Sequence, residues 1–174
     1  MKKILALCSA LCMLFWASIS FAAEPVVKTS PTSAKPTVQY AQYQACLAAV
    51  RTEVPAKAVL YGYESDGKFD TLYLRDNDSY IEYKGVVENV SHKLTTLLIH
   101  GSNIWGSTTI KYTATGIANV IKQNYPDATN IVIETKKDGN NTYYEADFTI
   151  TKGKVEAKLN PMTGAFGERL ITYK

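Results

Sequence analysis

The chain has 174 residues, of which 46% are apolar, 20% charged and 11% aromatic, and its formal net charge is +3. This composition is too apolar for an intrinsically disordered chain, and the length is too short for a barrel enzyme of about 250 residues. Basic and acidic residues are interspersed, so no basic patch indicates nucleic acid or an anionic lipid surface as a partner.

The first 22 residues have the layout of a secretory signal peptide. Lys2 and Lys3 precede an apolar run, and Ser20 and Ala22 supply the small residues that precede a cleavage site. A retained membrane anchor is the alternative, because the run is nearly long enough to span a bilayer. Cleavage near Ala22 is favoured. It predicts a secreted or periplasmic protein without stable membrane insertion, whose net charge falls to +1 when both lysines are removed.

A flexible linker is predicted over residues 23–39, which are rich in Pro, Ser and Thr and lack a hydrophobic period. Once the signal peptide is removed, Cys46 is the one cysteine left, so the fold depends on its core and not on an internal disulfide. Because Cys46 lies in an apolar helical stretch, we expect a small buried side chain and not a reactive thiol.

The folded part of the chain is predicted to open with a helix and a hairpin. Apolar residues recur at helical spacing over residues 40–54, until Pro55 interrupts the pattern. Asp66-Gly67 then marks a turn, because glycine accepts the positive φ that hairpin turns need. Strands are predicted on both sides of this turn and after it, over residues 58–63, 69–74, 80–84 and 95–100.

The second half of the chain repeats this order. A helix is predicted over residues 115–124, with Thr115 as its N-cap and Pro126 after its end, and Asp138-Gly139 marks the next turn. Apolar and polar residues alternate in the following strands, which indicates an antiparallel sheet covered on one face. These strands are predicted over residues 128–135, 142–150 and 154–159.

The repeated order favours an internal duplication. The predicted fold class is α+β, with two tandem units that each pack a helix on one face of an antiparallel β-sheet. The first unit covers residues 40–107 and the second covers residues 108–174.

Few residues have an arrangement that indicates a metal site. His92 and His100 come without the spacing of a zinc site. Asp76, Asp78 and Glu82 are faintly similar to a calcium loop, but the turn glycine and the full ligand series are missing. An exposed hairpin turn is the simpler interpretation of these acidic residues, and we predict no metal and no cofactor.

One pair of carboxylates is compatible with acid–base catalysis. Glu145 and Asp147 point to the same face of one strand, about 7 Å apart, and paired carboxylates hydrolyse sugars in many enzymes. They lie among polar residues on a wet sheet face, where solvated charges are the ordinary finding. We therefore predict that the chain is not an enzyme.

Aromatic residues indicate binding instead. All 12 tyrosines follow residue 39, and Trp105 lies in a loop rich in Gly and Ser. Tyrosine and tryptophan supply large contact areas at low entropic cost, although tyrosine is also common in half-buried strands. We predict partner contacts at Trp105, at Tyr143 and at the turn formed by Asp138 and Gly139.

The C-terminal part of the chain, residues 115–173, resembles a PepSY or PepSY-like domain. The matching features are an apolar helix that ends in Asn124-Tyr125-Pro126, the strand Tyr143-Tyr144-Glu145-Ala146 and the turn Asn160-Pro161-Met162-Thr163-Gly164. The resemblance implies a small α+β module of exported bacterial proteins, which carries no catalytic residues and is proposed to inhibit or modulate peptidases. A related PepSY-like group resembles the tandem-repeat inhibitors of β-lactamase.

Two functions of different classes follow from these observations. The first is an exported, non-enzymatic protein-binding module that inhibits or modulates a peptidase or a similar hydrolase. The alternative is an envelope sensor or carrier that holds a small ligand or a metal between the two units.

Overall fold

The described part of the protein begins with helix α1, Val38–Arg51. The computed structural model describes residues 38–101 and 106–174, so the predicted signal peptide and most of the predicted linker lie outside it. Helix α1 starts before the predicted boundary at residue 40 and ends before Pro55, because proline disfavours helical backbone in the residue that precedes it. Cys46 and Val50 on its inner stripe are fully buried, as predicted for Cys46.

Four antiparallel strands follow α1 as a meander, and each predicted strand is present. Gly67 has a φ of +87°, and the Asp66 carboxylate accepts hydrogen bonds from the N–H groups of Lys68 and Phe69, so Asp66-Gly67 forms the predicted turn. The third strand extends beyond its predicted end at residue 84. The strands are β1 Val59–Ser65, β2 Phe69–Asp76, β3 Ile81–Glu88 and β4 Leu94–His100.

A second helix and four more strands complete the described chain. Helix α2 is capped by Thr113 and not by the predicted Thr115, because Thr113 has an extended backbone and its hydroxyl accepts the Gly116 N–H at 3.2 Å. The last strand was not predicted, since Glu168 and Arg169 interrupt its apolar pattern. The elements are α2 Ala114–Asn124, β5 Thr129–Asp138, β6 Asn141–Ile150, β7 Gly153–Leu159 and β8 Phe166–Tyr173.

All eight strands form one antiparallel sheet in the order β1-β2-β3-β4-β8-β7-β6-β5. The predicted α+β class is confirmed. The two meanders are joined because β4 pairs with β8, from Thr96 opposite Thr172 to His100 opposite Glu168. The expected space between two separate sheets therefore does not exist in the described chain, and the tandem units at 40–107 and 108–174 stay a prediction.

Both helices pack on the same face of this sheet. Helix α1 approaches β3 so closely that a Cβ atom on Gly85 would lie 2.7 Å from a methyl group of Val50. Next to α2, the ring of Tyr125 lies 5.1 Å from the ring of Phe148 on β6. No described helix or strand covers the other face, which we call the open face. Neither described helix is long and apolar enough to cross a bilayer.

Candidate functional site

The open face arranges its side chains in rows that cross the strands. Residues opposite one another in neighbouring antiparallel strands have Cβ atoms about 4.5–5.5 Å apart. One row, which we call the charged row, consists of ionisable residues from β5 to β2. In order these are Glu134, Glu145, Lys158, Glu168, His100, Glu82 and Arg75.

Glu168 is the centre of the charged row. Its carboxylate lies 3.0 Å from Nζ of Lys158 and 3.4 Å from Nδ1 of His100. The hydrogen bond with Glu168 raises the pKa of Lys158 despite partial burial. At the far end of the row, Arg75 pairs with Glu82. Most of this row is therefore internally paired, and exposed pairs of this kind stabilise a fold only slightly.

The β5 end of the charged row holds two acidic residues opposite each other, Glu134 and Glu145. Lys136 lies beside them, with its Nζ 2.6 Å from Glu134 and 3.8 Å from Glu145. The hydrogen bond between Lys136 and Glu134 lowers the pKa of the carboxyl and raises the pKa of the amine. Lysine thus compensates this like-charged pair.

A second row, the mixed row, runs beside the charged row and contains a like-charged pair without such compensation. Asp147 on β6 lies directly opposite Glu156 on β7, and both side chains are exposed. No ion pair or hydrogen bond joins either carboxylate to another described side chain. Like charges in this position destabilise a sheet. From β5 to β2 the row consists of Val132, Asp147, Glu156, Leu170, Leu98, Lys84 and Tyr73.

Together the two rows line a groove of about 530 Å³, which we call the acidic groove. Four apolar residues contribute to its lining, among them Val132, whose exposed fraction is 57%. Five carboxylates and one lysine share the lining, and Lys136 beside it pairs with Glu134 and Glu145, so the groove carries a net negative charge. The lining residues are Leu98, Val132, Ala157, Leu170, Lys158, Glu134, Glu145, Asp147, Glu156 and Glu168.

Two tyrosines form an aromatic end of the open face, next to a smaller hollow of about 330 Å³. Tyr61 is 53% exposed, and its ring lies 6.1 Å from the ring of Tyr73. The guanidinium of Arg75 lies 5.4 Å from the Tyr61 ring, and Nζ of Lys84 lies 5.6 Å from the Tyr73 ring. These cation–π contacts hold two large, partly exposed rings in place, which suits a contact surface.

The structure distributes the predicted contact residues over two regions. Tyr143 is half-buried on the open face, with its hydroxyl 3.4 Å from Oε1 of Glu145. Asp138 and Gly139 are exposed at the β5–β6 turn, where Asp138 still pairs with Asn141 and Gly139 has a φ of +57°. Trp105 lies outside the described residues.

Gly106 and Ser107, which follow Trp105, lie beside the hairpin formed by β5 and β6. Ser107 forms a bridge with Thr142 at the start of β6, and the Asn160 side chain donates to the Gly106 carbonyl at 3.2 Å. The second of these contacts comes from the turn that carries the PepSY-like motif. In that turn, Oδ1 of Asn160 accepts the N–H groups of Met162 and Thr163.

The other acidic residues considered in the sequence have structural partners. Asp76 accepts from Lys57 at 2.8 Å and from Ser79 at 2.6 Å, and the hydrogen bond from Lys57 is the main cause that lowers its pKa to about 2. This carboxylate belongs to the β2–β3 turn, as expected. Within residues 38–101 and 106–174, no group of three His, Cys, Asp or Glu side chains is placed to hold a metal ion.

Local sequence patterns do not identify three members of the site, Glu156, Leu170 and Glu168. Glu156 was recognised only as one residue of an alternating strand, since its opposition to Asp147 depends on the register between β6 and β7. Glu168 and Leu170 gave no usable local sign, because charged residues interrupt the apolar pattern of β8. Glu145 and Asp147 were noticed as a pair, but the structure places them in different rows.

Fold and site together define an α+β protein whose antiparallel sheet leaves one face open. No protein-family model and no curated protein matches the chain. Among solved structures, it is similar to the crystal structure of a BLIP-like protein from Bacteroides fragilis, with 14% identity, coverage of 82% of this chain and 92% of that chain, and a TM-score of 0.30. A TM-score this low supports no conclusion about function, and the resemblance to PepSY domains rests on the sequence motifs alone.

Proposed function

We propose that the protein is an exported, non-enzymatic module that binds another protein through its open face and restrains a peptidase or a similar hydrolase. The observation that supports this proposal is the open face itself. It presents an acidic groove and an aromatic end side by side, and no described element covers either of them. Uncovered surfaces that combine apolar, aromatic and charged side chains are typical of interaction sites.

The size of the open face agrees with this function. Eight strands of about eight residues each, spaced about 4.8 Å apart, span roughly 34 Å by 26 Å. The product is about 900 Å², which is close to the ~800 Å² that each partner contributes to a standard protein–protein interface. A rigid sheet also loses little conformational entropy when it binds.

The nature of the partner comes from the sequence. The predicted signal peptide favours a location outside the cytoplasm, and the motifs that resemble PepSY domains imply a role in the control of peptidases. A protein that acts by covering a hydrolase needs a complementary surface and no catalytic group of its own. We therefore propose an extracytoplasmic hydrolase as the partner.

Affinity capture tests this function. Residues 23–174 are immobilised, the source organism's envelope and secreted extracts are passed over them, and the proteins retained after a salt wash are identified. We expect a hydrolase retained in stoichiometric amount, whose activity falls when the purified protein is added. If no hydrolase is retained, or if its activity is unchanged, the proposed function is wrong.

Matched variants connect the captured partner with the open face. Tyr61→Ala removes an exposed ring of the aromatic end and is expected to weaken binding about tenfold or more, as contact aromatics do. Val90→Ala, in the β3–β4 connection, removes a side chain that is 92% exposed and serves as the control with unchanged binding. Trp105→Ala in the same assay tests the contact predicted from the sequence.

A further inference from the structure

Strand β5 is an end strand of the sheet, so its outer edge pairs with no other described strand. The contacts of Thr142 show which backbone groups lie along that edge. Its N–H and C=O both bond to Ser107, on the side away from β5. Lys137, directly opposite Thr142, therefore turns its own N–H and C=O away from β6. The alternation of an antiparallel ladder gives Thr135 and Ile133 the same outward direction.

The outer edge of β5 is regular over most of its length. Its bulge lies near the start of the strand, between Thr129 and Val132, so residues 132–138 pair with β6 without interruption. The other end strand, β1, has its bulge between Leu60 and Gly62, which divides a shorter strand. A long, regular and exposed edge is a template for another β-strand. Of the two edges, that of β5 is therefore the better suited to strand addition.

The charges of β5 are complementary to those of a second copy of β5. In an antiparallel pair with a two-fold axis at Thr135, this residue faces itself, and Glu134 of each copy faces Lys136 of the other. Both pairs lie on the open face in non-hydrogen-bonded positions, where opposite side chains are closest. An axis at Glu134 or at Lys136 would place a like charge opposite itself, which destabilises a sheet. Of these three registers, the one at Thr135 alone joins unlike charges.

We infer that the protein forms a symmetric dimer in which the β5 strands of two copies pair about Thr135, so that two sheets become one. This inference goes beyond the proposed function and does not depend on it. Lysines on an edge strand usually oppose such pairing. Here Lys136 meets a carboxylate, and the aliphatic stem of Lys137 covers the half-buried Ile133 of the other copy.

The expected dimer is weak and closed. The outward residues of the two copies form three hydrogen-bonded pairs with about two bonds each, and each bond adds only a modest net stabilisation. The interface uses the same strand of both copies, so it is complete after two copies and does not continue into a filament. We therefore expect a reversible equilibrium between monomer and dimer.

Sedimentation velocity of residues 23–174, from about 5 µM to about 1 mM, measures this equilibrium. We expect the average mass to rise from that of a monomer toward that of a dimer and no further. Glu134→Lys and Lys136→Glu each place like charges opposite at both ion pairs, and each should weaken association about tenfold or more. Glu64→Lys makes the same change of charge as the first of these on the exposed edge strand β1, and should leave association unchanged.

A mixture of the two charge variants separates a contact between copies from a change within one copy. When Glu134→Lys protein is mixed with Lys136→Glu protein, each introduced charge faces its opposite in the other chain. We expect a heterodimer of about wild-type strength, although neither variant associates with itself. A purely structural role of Glu134 and Lys136 would not produce this rescue.

A backbone variant and amide exchange test the pairing itself. Thr135→Pro removes an outward N–H that β6 does not use, so it should keep the fold and abolish association. If it does not fold, the charge variants decide the question alone. In the wild type, the outward amides of Ile133, Thr135 and Lys137 should exchange rapidly in dilute solution and become protected at high concentration. The amides of Glu134 and Lys136 point to β6 and should be protected at both concentrations.

The other outcomes overturn the inference. These are a mass that stays monomeric at every concentration, an equal loss of association with Glu64→Lys, no heterodimer in the mixture, or outward amides that exchange independently of concentration. A captured hydrolase that is lost with Thr135→Pro, while the chain itself stays monomeric, would show that the edge receives a partner's strand instead of a second copy.

Discussion

Asp70 is a fully buried carboxylate that is held by neutral donors. The Cys46 thiol donates to its Oδ2 at 3.1 Å, the Tyr63 hydroxyl donates to its Oδ1 at 3.0 Å, and Gln42 donates at 3.5 Å. Burial, together with the hydrogen bond to Asp70, raises the pKa of the Cys46 thiol to about 12. The thiol is therefore an inert hydrogen-bond donor that connects α1 to β2. The apolar sequence around Cys46 predicted its burial but not its hydrogen bond to Asp70.

The same contacts predict how stability depends on pH. Burial raises the pKa of Asp70. Hydrogen bonds from Ser65, Cys46, Tyr63 and Gln42 lower this pKa by more than burial raises it, so the net pKa lies below its ordinary value. The stabilisation is thus complete above the unfolded-state pKa of about 3.9 and is lost as the pH falls below it. Asp70→Asn should cost about 2–3 kcal/mol in the free energy of unfolding at pH 7, because it leaves buried donors unmatched.

Urea unfolding of the wild type and of Asp70→Asn between pH 7 and pH 2 measures this effect. The difference between the two proteins should be constant down to about pH 4 and then decrease. Asp78→Asn, on an exposed turn, is the control variant and should differ little from the wild type at any pH. A difference that persists unchanged at pH 2 would show that the Asp70 charge is not what stabilises the cluster.

At the scale of elements, the packing of α1 on β3 depends on the absence of a side chain at residue 85. A Cβ atom on Gly85 would lie 2.7 Å from Cγ2 of Val50, which is too close for two carbon atoms. Both residues are fully enclosed by the helix and the sheet. Gly85→Ala is therefore expected to destabilise the fold by about 1–3 kcal/mol, the usual cost of overpacking a core.

A double-mutant cycle tests the cause of this loss. Val50→Ala alone leaves a cavity and is also destabilising, but it makes room for the new methyl group. The free energy of unfolding of the double variant, Gly85→Ala with Val50→Ala, should be higher than the sum of the two single effects predicts. Strict additivity would contradict a clash between these two side chains.

At the scale of the whole molecule, the pairing of β4 with β8 decides whether the two halves are independent. Separate halves of roughly 65–70 residues would each bury only about 60% of their unfolded surface and would be marginally stable. In the single sheet, β4 of the first half and β8 of the second half pair with each other, so neither of these strands is left as an exposed edge. We therefore expect the described chain to unfold as one cooperative unit.

Native-state hydrogen exchange checks this expectation. Amides that join β4 to β8 should exchange among the slowest, and amides of the edge strands β1 and β5 should exchange faster. If residues 40–107 and 108–174 opened as separate domains, the β4–β8 amides would exchange faster than those between β2 and β3 or between β6 and β7. That result would support two independent units.

Local sequence patterns were sufficient to predict most of the helices, strands and turns. They did not predict the charged row or the mixed row of the open face. Asp66-Gly67 and Asp138-Gly139 marked turns because glycine accepts a positive φ whatever surrounds it. Thr113 was missed as the N-cap because two nearby threonines are equivalent by residue type, and only the backbone path selects one of them. Strand β8 was missed because Glu168 and Arg169 interrupt its apolar residues. The strand forms nonetheless, since it pairs with β4 on one side and with β7 on the other.

The sequence by itself determined most of the elements, the covered face of the sheet and the burial of Cys46, because these depend on the period of apolar residues and on the conformations that glycine and proline allow. Only the tertiary structure decided that β4 pairs with β8, that one sheet replaces two, and that Asp147 faces Glu156. Pairing and register join residues that are distant along the chain, and no local period encodes which strand becomes the neighbour of which. The open face and its acidic groove exist only through that choice.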